Sequence, residues 1–356
     1  MENKKILQLG KYYPPKKGGI EQVSELISSS SPQGTRVYFV GFNSTNKTIV
    51  RRGGNGEIII EFSLDILLAR QPISLSLILN LQKIINKISP EVIIFHHPNP
   101  LLSFFLPNRK YVIWNHGTIN INKTIYKLYK KFEDDLFKNA LCVFNSSPIV
   151  CRKNSSSNVI IPFTISEDNF KISEKVDVPQ QKFIFTYARH VPYKGLDYLI
   201  KAFKKSNFKG NLIIGGTGPE TERLKELSGT SRIIFVGNLK YSQITWLFKN
   251  ADCFIFSSIN NSETFGITLL ESMYNSCAIL KFEIPESGSN WVCPKNICIN
   301  VGIPSLENLI TGLNSLENMP HLELIKLGKL GKERYNEIFS AVKVKNQLKY
   351  NLKQIL

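Results

Sequence analysis

The chain has 356 residues, 42% hydrophobic and 21% charged, with 22 glycines, 17 prolines and a formal net charge of +17. That length suits two domains rather than one, and the apolar share can fill two cores, which excludes a disordered or collagen-like chain. No apolar run reaches the roughly 18–20 residues that span a bilayer, and Ile6, Leu7 and Leu9 are too few for a secretory h-region, so a cytoplasmic protein is expected.

In chain order, Lys5-Ile-Leu-Gln-Leu reads as a first strand and Arg36-Val-Tyr-Phe-Val-Gly as a second. Residues 57–61, 91–95 and 111–114 give further short apolar strands. Between them, Leu75–Ile88 carries leucine and isoleucine at helical spacing. Thr124–Ala140 is a second amphipathic helix, with Lys127, Lys130 and Lys131 on its polar side, and its Glu133-Asp134-Asp135 run reads as a solvated face. Residues 141–144 close this series, and the polar segment 161–181, with Pro162 and Pro179, reads as a linker. A second series follows at 183–187, 211–215, 232–237, 253–256 and 278–280. Strands alternating with helices, twice over, predict an α/β protein of two Rossmann-like, doubly wound domains. Their expected spans are 1–165 and 166–335, with a C-terminal helix, 336–356, available to pack back on the first. Ligands of such sheets sit beyond the carboxyl ends of the strands, so two facing sheets would place a site in the cleft between them.

Six cysteines, Cys142, Cys151, Cys253, Cys277, Cys293 and Cys298, lack C-x-x-C spacing and read as buried thiols of a reducing compartment. The positive charge is uneven: residues 1–165 hold 21 Lys and Arg against 10 Asp and Glu. Nucleic acid, an anionic membrane surface and a phosphorylated substrate would each answer that excess, as would an ordinary lysine-rich solvated surface.

Six motifs lie at strand ends. Gly18-Gly19 precedes a helical stretch with Glu21, where glycine lets the backbone approach an anion and the helix start points N–H groups the same way; it is equally a plain connection. His96-His97-Pro-Asn-Pro100 and Asn115-His116-Gly117 each put a histidine where it can reach a ligand or serve as a structural hydrogen bonder. Arg189 and Lys194, five apart between a strand and a helix, could clamp a diphosphate, one as a fork and one as a point charge, or be surface cations. Gly216-Thr-Gly218-Pro-Glu220 is a nucleotide-compatible turn. In Asn261-Ser-Glu263-Thr-Phe-Gly266-Ile-Thr-Leu-Leu-Glu271, a helix start offers free N–H donors while two carboxylates can accept from hydroxyls or act as caps.

Together and in order, Gly18-Gly19-x-Glu21, Pro98-Asn-Pro100, His116, Arg189 to Lys194-Gly195, Gly216-Thr-Gly-Pro-Glu220, Phe235-Val-Gly237 and Glu263-x7-Glu271 resemble the retaining GT-B glycosyltransferases of family 4 across nearly the whole chain. The stretch Pro285-Glu-Ser-Gly-Ser-Asn-Trp291 is similar to bacterial members that build O-antigen and capsule polysaccharides. The resemblance implies a GT-B fold and transfer of a sugar from a UDP- or GDP-sugar to a glycan or lipid-linked acceptor at the inner face of the membrane. It implies that Arg189 and Lys194 hold the donor diphosphate, Glu263 meets the donor sugar and Glu271 the ribose. Phe265, Gly266 and Ile267 would line the pocket with backbone, Gly216, Gly218 and Gly237 would complete the donor side, Gly18 and Gly19 would meet the phosphates, and His116 would reach the sugar.

A departing nucleoside diphosphate develops negative charge, which fixed cations stabilise in a water-poor site. No D-x-D motif occurs, so a metal-free reaction through Arg189 and Lys194 is expected, with no cofactor. A GT-B-like nucleotide-sugar epimerase shares the scaffold, and a basic nucleic-acid-binding protein is the third reading, though no helix-turn-helix or basic-aromatic platform is apparent.

Overall fold

Strands of a parallel sheet are covered on both faces, so they must be apolar along their whole length rather than alternating. The computed structural model describes residues 4–14, 19–68, 71–106, 108–117, 123–179 and 181–356, and it builds two such sheets, each in its own compact unit. One unit comprises Met1–Phe163 with Val342–Leu356, the other Thr164–Ala341.

The first unit runs β1 (Lys5–Leu9), α1 (Gly19–Ser30), β2 (Arg36–Asn43), β3 (Ile49–Arg52), β4 (Ile58–Ser63), β5 (Ile66–Leu68), β6 (Gln71–Ile73), α2 (Leu75–Ile88), β7 (Val92–His97), α3 (Pro100–Ser103), β8 (Tyr111–Asn115), α4 (Lys123–Asn139), β9 (Val143–Asn145) and β10 (Asn158–Ile160). Its eight-stranded sheet has the order β10-β9-β8-β7-β1-β2-β4-β3 and is parallel except for β3, which pairs antiparallel with β4. β5 and β6 form a separate two-stranded hairpin. The helix read at Leu75–Ile88 is α2: Ser74 caps it by accepting from Leu77 N at 3.2 Å, and Leu77, Leu81, Ile85 and Ile88 turn one stripe into the core.

The second unit runs β11 (Phe183–Tyr187), α5 (Leu196–Lys205), β12 (Asn211–Gly215), α6 (Thr221–Ser228), β13 (Ile233–Gly237), α7 (Tyr241–Asn250), β14 (Cys253–Phe256), α8 (Ile267–Tyr274), β15 (Ile279–Lys281), α9 (Ser289–Val292), β16 (Ile299–Asn300), α10 (Leu306–Asn318) and α11 (His321–Arg334). Its wholly parallel sheet has the order β13-β12-β11-β14-β15-β16, the doubly wound arrangement in which strand order reverses once. The last helix, α12 (Ala341–Ile355), belongs from Val342 to the first unit, where Gln347 donates to the Ile160 carbonyl at 2.7 Å.

Two doubly wound α/β units were expected, and two are present. One surface assignment is corrected. Glu133 lies on α4 fully buried, not on a solvated face, with Oε1 2.8 Å from His97 Nε2 and Oε2 2.7 Å from Arg152. Burial opposes its charge, but hydrogen bonds from His97 and Arg152 outweigh it and hold the carboxyl at about 2. The run looked solvated because its neighbours are lysines; its partners arrive from β7 and from the segment after β9.

Candidate active site

In each sheet the strand order reverses between two neighbours, β1 and β7 in the first unit, β11 and β14 in the second. The polypeptide leaving those strands diverges, and side chains after the carboxyl ends are free to face a ligand. In the second unit Arg189, Lys194, Glu263 and Glu271 lie beyond β11 and β14, whereas in the first unit His116 follows β8, one strand over from the reversal.

In the second unit, β11 leads into Ala188-Arg189-His190 and then a short 3-10 turn, Pro192–Lys194. Arg189 is exposed and forms no ion pair among the described residues. The turn after β12 packs backbone to backbone on this exit. A Cβ on Gly216, which has φ +98°, would stand 2.0 Å from the Ala188 carbonyl oxygen, and one on Gly218 would stand 2.4 Å from that of His190. Only glycine permits that approach. These two glycines fix the segment carrying Arg189, and Gly216 N donates to the Gly237 carbonyl at 2.7 Å, which ties in the end of β13.

Lys194 and Glu263, 69 residues apart, form an ion pair through Nζ and Oε2, with side chains only 15% and 10% exposed. The same carboxylate oxygen accepts from Ser258 Oγ at 3.0 Å, while Ser287 Oγ donates to the Glu263 backbone carbonyl. Ser257 Oγ donates to the Lys194 carbonyl at 2.8 Å, so the loops after β11 and β14 are fastened together. Beneath them is a cavity of about 10 Å³, room for one water, lined by Thr186, Tyr187, Lys194, Ser258 and Thr268.

Gly266 precedes α8 and Ile267 begins it. Phe265 points into the core, its ring edge-on to Phe339 at 6.0 Å, so its side chain is structural and only its backbone is available. Glu271 sits one turn into α8, 6% exposed, with a buried Oε2 that has no partner among the described residues. Burial raises its pKa to about 8. Tyr187 and Tyr241 feel its charge. An unpartnered buried carboxyl is costly, and a ligand hydroxyl would relieve that cost.

In the first unit, Gly18 lies outside the described residues and Gly19 begins α1. His116 follows β8, its N–H donating to the His97 carbonyl at 3.1 Å. Its Nε2 is 3.0 Å from His96 Nδ1, and the two rings are nearly parallel, at 9°. Its pKa lies well below the usual value, chiefly through burial and then through His96, His97 and Lys11. Sequence reading passed over Lys11, at the end of β1, whose pKa is lowered by burial against the raising effect of Glu21. It also passed over Gln8, Tyr187, Ser258 and Ser287. Lys11, Tyr187 and Ser258 had one visible signal, position at or just beyond a strand end; Gln8 inside β1 and Ser287 between β15 and α9 had none.

The model of the family "Glycosyl transferases group 1" matches residues 168–329, a span containing Arg189, Lys194, Glu263 and Glu271. The O-antigen chain mannosyltransferase C of Escherichia coli is 25% identical over 350 residues, covering 93% of this chain and 92% of that protein. A D-rhamnosyltransferase of Pseudomonas aeruginosa is 24% identical over 350 residues, covering 91% and 89%. Among solved structures, a sucrose-phosphate synthase from Thermosynechococcus elongatus superposes with a TM-score of 0.77 at 17% identity, covering 99% of both chains. Anabaena HepE in complex with UDP and glucose does so at 0.72 and 15%, covering 99% of this chain and 100% of that one. These last two likenesses are of fold. Residues 168–329 are a glycosyl transferases group 1 domain, and the chain that carries it is a glycosyltransferase of GT-B fold.

Proposed function

We propose that the chain moves a hexose from a UDP- or GDP-sugar to a glycan or lipid-linked acceptor in bacterial surface-polysaccharide biosynthesis. In this reading the anomeric configuration is retained, as in glycosyltransferase family 4, and no metal ion is required. The observation that carries it is the set of side chains at the strand-order reversal of the second unit: Arg189 exposed, Lys194 paired to Glu263, and Glu271 buried with an open carboxyl oxygen. The O-antigen mannosyltransferase relative supports the polysaccharide role. The UDP complexes of HepE support a nucleotide donor.

Each residue then has a physical task. Arg189 and Lys194 hold the diphosphate and stabilise the charge that grows on it as the glycosidic bond breaks. Glu263, released in part from Lys194 as the diphosphate arrives, accepts from donor-sugar hydroxyls. Glu271 accepts from the ribose. His116, and the backbone at Gly18 and Gly19, serve the sugar and phosphates from the first unit. Gly216, Gly218 and Gly237 keep the loop of Arg189 in place.

The acceptor in this reading is membrane-borne, and the first unit offers features that suit an anionic bilayer: exposed Leu75 and Leu79 on α2, exposed Ile66 and Leu67 on the β5–β6 hairpin, and exposed Lys127, Lys130 and Lys131 on α4. A thermal-shift panel of UDP, GDP, ADP and their sugars tests the donor class, because a ligand that binds the folded state raises the melting temperature by mass action. One nucleotide with its sugar should stabilise the protein while the others do not. No shift with any of them, at millimolar concentration, would remove the nucleotide-sugar reading.

A further inference from the structure

A run of buried polar side chains ends on His116, and its hydrogen positions follow from chemistry alone. Gln8 on β1 is fully buried, with Nε2 3.1 Å from the Ser24 carbonyl and 3.2 Å from Ser28 Oγ. A carbonyl only accepts, so the amide nitrogen must face it, and Oε1 faces the other way. There it meets His96 Nε2 at 3.1 Å. Since Oε1 can only accept, His96 Nε2 carries the hydrogen, and the neutral ring's Nδ1 is left with a lone pair. That lone pair lies 3.0 Å from His116 Nε2, which must therefore donate. The remaining atom, His116 Nδ1, is a buried acceptor with no partner among the described residues.

Both rings are kept neutral. Burial pulls His96 down to about 3, and His116 is lowered by burial with help from His96, His97 and Lys11. A lone pair in that position repels a phosphate oxygen, a carboxylate or a carbonyl, and accepts only from a donor such as a hydroxyl.

We infer that Gln8 and His96 are positioning residues that hold His116 in its Nε2–H form, so that Nδ1 is offered as an acceptor to a hydroxyl of the donor sugar. The identity of that hydroxyl rests on the nucleotide-sugar reading; the tautomer does not. Neither Gln8 nor His96 need touch the ligand, because each acts through the next ring.

Long-range proton–nitrogen correlation spectra of protein with nitrogen-15 histidine read the tautomer directly. The chain has 5 histidines, and His116→Gln assigns the signals. At neutral pH His116 should show the hydrogen on Nε2 and a bare Nδ1. Gln8→Leu, which removes the acceptor facing His96, should release that preference. The same variant should lower the affinity gained by adding sugar to nucleotide, measured with UDP against UDP-glucose and GDP against GDP-mannose, by about tenfold, with free nucleotide changed less than about twofold. A wild-type His116 with its hydrogen on Nδ1 overturns the inference, as does a Gln8→Leu loss that is equal for nucleotide and nucleotide sugar. If wild type binds none of the four ligands, the nucleotide-sugar reading fails by itself, and the wild-type spectrum still decides the relay without any variant.

Discussion

Arg189 and Lys194 are expected to serve the same charge, yet their removal leaves different things behind. Arg189 is exposed, so Arg189→Ala should leave the melting temperature unchanged and lower turnover by at least about two orders of magnitude, as for other groups that stabilise transition-state charge. Lys194→Ala should match that loss and also reduce stability, because Glu263, only 10% exposed, keeps Ser258 but loses its cation. Near-wild-type transfer by either purified variant would take that residue out of the site. The two glutamates should separate by ligand. Glu271→Ala should weaken free nucleoside diphosphate by about 1.5–3 kcal/mol at about pH 9, where the carboxyl is ionised and its hydrogen bonds are charge-assisted, while Glu263→Ala spares the free nucleotide and impairs the nucleotide sugar; calorimetry showing the reverse would exchange their roles. Glu271 also has a pH signature. Its folded pKa of about 8 stands above the ordinary 4.5, so its neutral form favours the fold below pH 4.5, and that stability is lost as pH rises through about 8. Glu271→Gln carries no such charge. Its melting temperature should exceed that of wild type by several degrees at about pH 9, with the gap closing near pH 4; a gap independent of pH would show that charge burial is not its cause.

Individual elements differ in how openly the sequence announces them. The central strands were legible because double-sided burial makes them unbroken apolar runs, and 183–187, 211–215 and 253–256 coincide with β11, β12 and β14. β3, β5, β6, β10 and β16 were passed over. They are short, lie at sheet edges or in a hairpin, and exposed residues such as Val50 and Arg52 blur their pattern. Within the candidate site, the strand-end positions of Arg189, Lys194, Glu263 and Glu271 could be read, but their contacts could not. The Lys194–Glu263 pair spans 69 residues and depends on Ser257 fastening two loops. The Gln8–His96–His116 relay joins residues 88 and 20 apart, which only strand order brings together. One element-level expectation concerns α2 and α4. If exposed Leu75 and Leu79 dip into a bilayer and each α4 lysine adds about 1 kcal/mol near anionic lipid, flotation should recover the protein with anionic vesicles at low salt and lose it at high salt. The double variant Leu75→Glu, Leu79→Glu should float poorly while melting as wild type does. Equal recovery with neutral and anionic vesicles would end the docking proposal without touching the transferase assignment.

For the molecule as a whole, the two sheets share one design: a doubly wound strand order that reverses once in each. The group 1 match covers the second unit's sheet and leaves β1–β10 outside it, so the first unit's role rests on residues such as His96 and His116 rather than on a family model. The central proposal, donor-sugar transfer driven by the cations after β11, is tested most directly by supplying a panel of UDP- and GDP-hexoses with a lipid-diphosphate-linked oligosaccharide and following both products by mass spectrometry. Wild-type protein should extend the acceptor by one sugar and release an equal amount of nucleoside diphosphate, and Lys194→Ala should do so at least about a hundredfold more slowly. An isomerised nucleotide sugar with no acceptor extension, or equal rates for the two proteins, would contradict it.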